Sequence, residues 1–162
     1  MNITKTLQGI VALNMNTWYT SDETRKKLDK LPLKIQWTVR KNMKDFIAAT
    51  NEFNAFKEEL IQKRNNKWFV EGNGKCEKYI QKDENNKEVE MLRIIPEYME
   101  EYLEYEHEIN KSLQEILLEE NNYTFTKIDL DTIVDASDEK DAGITMDDLD
   151  MLSIFSEDEG SE

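Results

Sequence analysis

From Ile35 onward the apolar residues Val39, Met43, Phe46, Phe53 and Leu60 fall at steps of three and four, with Thr50 and Lys57 in the intervening slots. That spacing places them on one helical face and predicts a long helix entered at Leu31-Pro32, where proline suits a first turn. Trp37, Ile47, Phe56 and Ile61 widen the face beyond a two-position seam, so they read as core aromatic and aliphatic positions that pack against more than one element. Asn65 and Asn66 mark the expected end. A second stretch, 96–120, repeats the rhythm with Met99, Tyr102, Glu106, Ile109, Leu113 and Ile116, flanked by Leu103 and Leu117.

Between these helices, β-branched and aromatic residues cluster around two turn signals, Gly72-Asn73-Gly74 and the run 83–87. The pattern predicts a small meander with strands near 67–71, 75–81 and 88–95. At the N-terminus, Ile3, Leu7, Ile10 or Val11, Asn14 and Trp18 predict an amphipathic helix over 3–18, followed by a basic loop or short solvated helix at 25–30. After Asn121-Asn122, the alternation in YTFTKIDLDTIV predicts a strand or extended segment.

The expected fold is therefore mainly α, with an α+β element. An antiparallel, coiled-coil-like helical hairpin carries a small β-hairpin or meander tip and is followed by an acidic C-terminal tail. The division expected is a helical domain over 1–134, with its tip near 67–95, and a flexible acidic tail over 135–162. Within that tail Thr145 offers an N-cap, and Met146, Leu149, Leu152 and Phe155 recur at steps of three, so a short helix is expected at 146–155. Such a helix has two available uses: docking on its own core, or entering a partner's groove.

Charge sharpens this picture. The net charge is −14, but residues 1–70 hold 13 Lys and Arg against 7 Asp and Glu, whereas residues 71–162 hold 8 against 28. Lys34, Arg40, Lys41, Lys44, Lys63 and Arg64 on the first long helix complement the glutamates of the second, which favours antiparallel pairing. Exposed pairs contribute only about 0.2–1 kcal/mol each, so the apolar seam supplies the stability and the charges select orientation. The negative surplus disfavours direct nucleic-acid binding, because the phosphate term has the wrong sign. No stretch reaches the roughly 20 apolar residues of a membrane span. With one cysteine, no secretory signal pattern and no internal disulfide, a cytoplasmic setting is expected.

Candidate chemistry is sparse. His107 is the only histidine and lies among glutamates; Cys76 lies beside Lys75 and Lys78 but has no adjacent base. Gly72-Asn73-Gly74 reads as a hairpin turn, since the lysine and helix of a phosphate loop are missing. Registering Gly143 as the sixth residue of a calcium loop puts Lys140 and Leu149 where acidic ligands belong, so the EF-hand reading fails. No catalytic, cofactor or metal residue is assigned. Partner contact is expected instead through Glu100, Glu101, Glu104 and Glu108 on the acidic helix, and through Asp147, Asp148, Leu149, Leu152 and Phe155 in the tail. The implied partner is a protein with a basic surface, and the heptads leave self-association open.

Residues 28–64, LDKLPLKIQWTVRKNMKDFIAATNEFNAFKEELIQKR, contain a Leu31-Pro32 entry, a Lys41-Asn42 pair, and Phe56 followed by Leu60. Together with the Asp-Leu ending of 128–130 and the acidic, Leu-rich 149–155, they make the chain resemble a family of small, uncharacterised phage and prophage proteins of Gram-positive bacteria. The resemblance implies phage origin, with the protein in the host cytoplasm or in the virion. It brings no catalytic residue. On this reading the chain is a non-enzymatic protein-binding factor, an accessory of virion assembly or a modulator of a host protein. The alternative is an acidic mimic of nucleic acid that inhibits a host defence nuclease, of the anti-CRISPR or anti-restriction kind.

Overall fold

The computed structural model describes residues 1–11, 15–119 and 123–156. The fold is mainly α with two small antiparallel sheets. Strand β1 (Asn2–Lys5) is followed by three short helices, α1 (Leu7–Val11), α2 (Met15–Thr20) and α3 (Asp22–Leu28). The long helix α4 (Leu33–Trp68) leads into the hairpin strands β2 (Cys76–Lys82) and β3 (Glu88–Ile94). A 3-10 turn at Pro96–Tyr98 opens α5 (Met99–Leu118), and β4 (Tyr123–Thr126), α6 (Leu130–Lys140), α7 (Met146–Leu152) and a closing 3-10 turn at Ser153–Phe155 complete the chain. Among the described residues, no helix is long and apolar enough to cross a membrane.

The chain forms two compact units, Met1–Glu52 with Ile116–Glu162, and Phe53–Glu115. The first unit is built on a strand pair of which the alternation from Tyr123 predicts β4 (Tyr123–Thr126), while the N-terminal periodicity misses β1. Instead of opening a helix, Ile3 sits in β1 opposite Phe125 of β4, and both side chains are buried. Ile3, Leu7 and Ile10 are all inward, which is why strand plus short helix imitates one helical face. Asn42 on α4 secures this sheet from the side: its amide donates to the Thr126 carbonyl at 2.8 Å and accepts from the Thr126 N–H at 2.9 Å.

The C-terminal stretch differs most from expectation. Asp129 caps α6 by accepting from the Asp131 N–H, so 130–134 are helical rather than extended. Ile133, Ala136, Ala142, Leu152, Ile154 and Phe155 then join Val39, Met43 and Phe46 in one buried cluster. Phe155 packs edge-on against Phe46 and Phe125 at ring-centroid distances of 6.1 and 5.2 Å. Between the two readings of the 146–155 helix, the fold takes self-docking. Residues 157–162 of the expected tail, and Asn14, Glu120, Asn121 and Asn122 of other expected elements, lie outside the described residues.

In the second unit, the Phe69 N–H bonds the Asn65 carbonyl at 2.9 Å, so the asparagines do not stop α4 and the third strand expected at 67–71 is absent. Gly72 and Gly74, with φ of 81° and 79°, make the turn that follows. Asn73 braces it, accepting from the Lys75 N–H at 2.8 Å and donating to the Trp68 carbonyl at 3.2 Å. The tip is therefore a two-stranded hairpin, Cys76 paired with Ile94 and Lys82 with Glu88.

Candidate functional site

The acidic residues named from sequence part into two groups. Glu100, Glu101, Glu104 and Glu108 are exposed on α5. Opposite them on the same helix, Tyr102 and Tyr105 stack against the buried Trp68, and Arg64 of α4 reaches Glu106 at 3.2 Å. Residue numbers fall on α5 as they rise on α4, so these segments run antiparallel within the second unit. Glu106 belongs to this inner side: it also accepts from the Tyr102 hydroxyl at 2.5 Å. Burial, reinforced by that hydrogen bond and by the Glu106 charge, pushes the Tyr102 phenol up to about 12.

Of the residues named in the C-terminal stretch, Asp147 is exposed. Leu149 is half-buried against the core, and Leu152 and Phe155 are wholly enclosed, so these apolar residues serve their own unit. Asp148 is buried and fully engaged. Its carboxylate accepts from the Trp18 indole N–H at 2.9 Å, the Lys27 ammonium at 3.0 Å and the Thr145 N–H at 2.9 Å, and it completes a capping box for α7. Burial opposes its ionisation, but the hydrogen bonds from Thr145, Trp18 and Lys27 outweigh that cost and hold the carboxyl below the usual range.

His107 is exposed on α5, and the Cys76 thiol lies 3.4 Å from the Val70 carbonyl. Among the described residues, no three His, Cys, Asp or Glu side chains come together as a metal-binding group.

Sequence reasoning missed a surface on the first unit. Tyr19, Arg25 and Leu28 meet the first turns of α4, where Trp37, Val39 and Arg40 complete a cavity of about 370 Å³. Leu28 and Val39 form its apolar floor. The Arg25 guanidinium lies 4.5 Å from the Tyr19 ring centroid, a cation–π contact. Trp37 was expected in the core, yet 65% of it is exposed. Neither Arg25 nor Arg40 forms an ion pair among the described residues. A signal was present: Trp37 lies two residues from Val39, about 200° around the helix from the buried stripe.

No protein-family model matches this chain, and no curated protein or solved structure matches it either.

Proposed function

We propose that the protein is a phage-encoded, non-enzymatic protein-binding factor that serves virion assembly or acts on a host protein. In this reading the segments of α4 and α5 around Arg64 and Glu106 form a coiled-coil-like arm tipped by the β2–β3 hairpin. The observation that carries the reading is Trp37. A tryptophan is costly to leave in water, and Trp, Tyr and Arg around an apolar floor are the residues that dominate interface energetics. An apolar side chain of the partner fills the floor, and its flanking acceptors take the guanidiniums of Arg25 and Arg40, which form no ion pair among the described residues. Exposed glutamates of α5 meet basic residues and contribute mainly to rate and selectivity.

The test is capture of partners from phage-infected host lysate, with Trp37→Ala beside the unaltered chain, followed by titration of the recovered protein. Affinity should fall at least tenfold in the variant with no change in melting temperature. Equal affinity of the two chains would end the proposal that this cavity is the contact.

One observation favours the nucleic-acid-mimic reading. Glu100, Glu104 and Glu108 recur every four residues, a carboxylate row with a rise of about 6 Å per step on an exposed face. In that case the partner is a basic nuclease in the host cytoplasm. Binding then weakens steeply with salt and disappears when the three glutamates become glutamines, while Trp37→Ala leaves it intact.

A further inference from the structure

The charge around the Trp37 cavity is the reverse of the chain's. The protein carries −14 overall, yet residues 25–44 hold eight Lys and Arg against Asp29 alone. Lys27 is taken by Asp148 and Glu23. The other seven cations are exposed and form no ion pair among the described residues. Helix α4 gathers four of them about the tryptophan. At about 100° per residue, Lys34, Arg40, Lys41 and Lys44 all fall within roughly 60° of Trp37, on the side turned away from the buried Val39, Met43 and Phe46. Arg25 reaches the same cavity from α3, and its place over the Tyr19 ring leaves its charge unneutralised. The two acids of the stretch stand at its margins, Asp29 on the cavity lining and Asp45 about 80° around the helix from Trp37.

The reading of this cavity as a protein contact is the basis for the next step. We propose that the segment it receives is acidic, with one large apolar side chain on the Leu28–Val39 floor and carboxylates on both sides of that anchor for Arg25 and Arg40. A guanidinium takes a carboxylate through two parallel hydrogen bonds, which fixes the segment as well as attracting it. Lys34, Lys41 and Lys44 answer further acids along the stripe. From Lys34 to Lys44 the stripe runs about 15 Å, the length of roughly five residues of extended peptide. Single-stranded nucleic acid also meets cations and an exposed indole, but it suits this surface less well. Its phosphates recur along its whole length, whereas the positive stripe is short and the chain as a whole repels a polyanion. Leu28 and Val39, 5% and 1% exposed, make a sunken apolar floor that a side chain enters end-on, and Asp29 beside it opposes a phosphate.

The first test needs no partner. Trp37 fluorescence, taken as the difference between the unaltered chain and Trp37→Phe, is quenched with iodide and with caesium and normalised to N-acetyltryptophanamide. The normalised iodide-to-caesium ratio should exceed one despite the negative net charge; a ratio of one or less overturns the proposal. The second test selects random twelve-residue peptides, displayed on yeast, against the immobilised full chain at low salt. Selected peptides should carry a large apolar residue with Asp or Glu on both sides. They should bind at least tenfold more weakly to Arg25→Gln/Arg40→Gln, whose circular dichroism should be unchanged, and to the unaltered chain in about 500 mM salt. Peptides that need Trp37 but have neutral or basic flanks overturn the acidic segment and leave the cavity a protein contact. If no selected peptide needs Trp37, the contact itself falls, and this proposal with it. Tighter binding of a twelve-nucleotide oligothymidylate, lost with Trp37→Ala, gives the surface to nucleic acid and overturns the proposal. A dimer that dissociates with Arg25→Gln/Arg40→Gln seats a second copy there and overturns it as well.

Discussion

The indole N–H of Trp18 donates to the Asp148 carboxylate at 2.9 Å, joining α2 to α7 across 130 residues of chain. The same carboxylate holds Lys27 of α3 at 3.0 Å, and its side chain is only 6% exposed. One acid therefore ties two N-terminal helices to the C-terminal segment. Asp148→Ala leaves the ammonium and the indole N–H without their acceptor and also removes the α7 cap. Breaking a buried pair from one side costs roughly 3–5 kcal/mol; Lys27, at 17% exposure, recovers some hydration, so about 3 kcal/mol is expected in urea denaturation.

The pH dependence of the same clamp is a separate prediction. The Asp148 carboxyl is depressed in the fold, so its contribution is present above the unfolded value near 3.8 and is lost as pH falls through the folded value. Hydrogen bonding to Asp148 raises Lys27 in turn, so that contribution is complete below 10.5 and is lost as pH rises through the higher folded value. The contribution of this clamp should be flat between these limits. Asp148→Asn should lower the plateau and make the acid limb shallower, as read from thermal melting across pH 2–7.

Phe155 gives the most direct check on the docked C-terminus. Its side chain is wholly enclosed between Phe46 and Phe125. Phe155→Ala should cost about 3–5 kcal/mol through lost transfer energy and a residual cavity. Ending the chain at Ala136 should lower the melting temperature further, since Leu152 and Ile154 go with it. A melting temperature unchanged by that truncation would mean the segment does not stabilise the fold.

How much of this arrangement the sequence discloses depends on the range of the interactions. The steps of three and four from Val39 to Leu60 are local, and α4 and α5 are legible within a few residues. Turn residues at 72–74 and 83–87 place the hairpin almost as well. Strand β1 is not legible, because Ile3 becomes a strand residue only by meeting Phe125, far away in the chain. The C-terminal stretch misleads through composition: its acids occupy exposed positions of α6 and α7, while Ile133, Leu152 and Phe155 face inward. Asp148 is the exception that no composition reveals, an acid enclosed because its partners were already in place.

Asn42 should matter for the sheet more than for the helix that carries it. Both ends of its side-chain amide serve Thr126, whose N–H and carbonyl lie on the flank of β4. Asn42→Leu keeps the volume but leaves a backbone donor and acceptor without those partners. At about 1–3 kcal/mol for each of the two unsatisfied groups, a loss of roughly 2–6 kcal/mol is expected. Hydrogen exchange separates this from a general packing defect: the Thr126 amide should lose protection well beyond the α4 amides around residue 42.

Tyr102 and Glu106 supply an alkaline counterpart in the other unit. The phenol is raised to about 12 first by burial and then by the Glu106 carboxylate, to which it donates. A neutral phenol favoured by the fold contributes stability that is complete below the ordinary value of 10 and is lost as pH rises from there toward 12. Glu106→Gln removes the negative charge but keeps an acceptor, so Tyr102 should ionise at lower pH, while Arg64 loses its ion-pair partner. Ultraviolet titration of phenolate absorbance should show one tyrosine moving to lower pH in the variant. If the titration curve stays where it is, burial alone raises Tyr102 and Glu106 serves only to hold Arg64 in the seam.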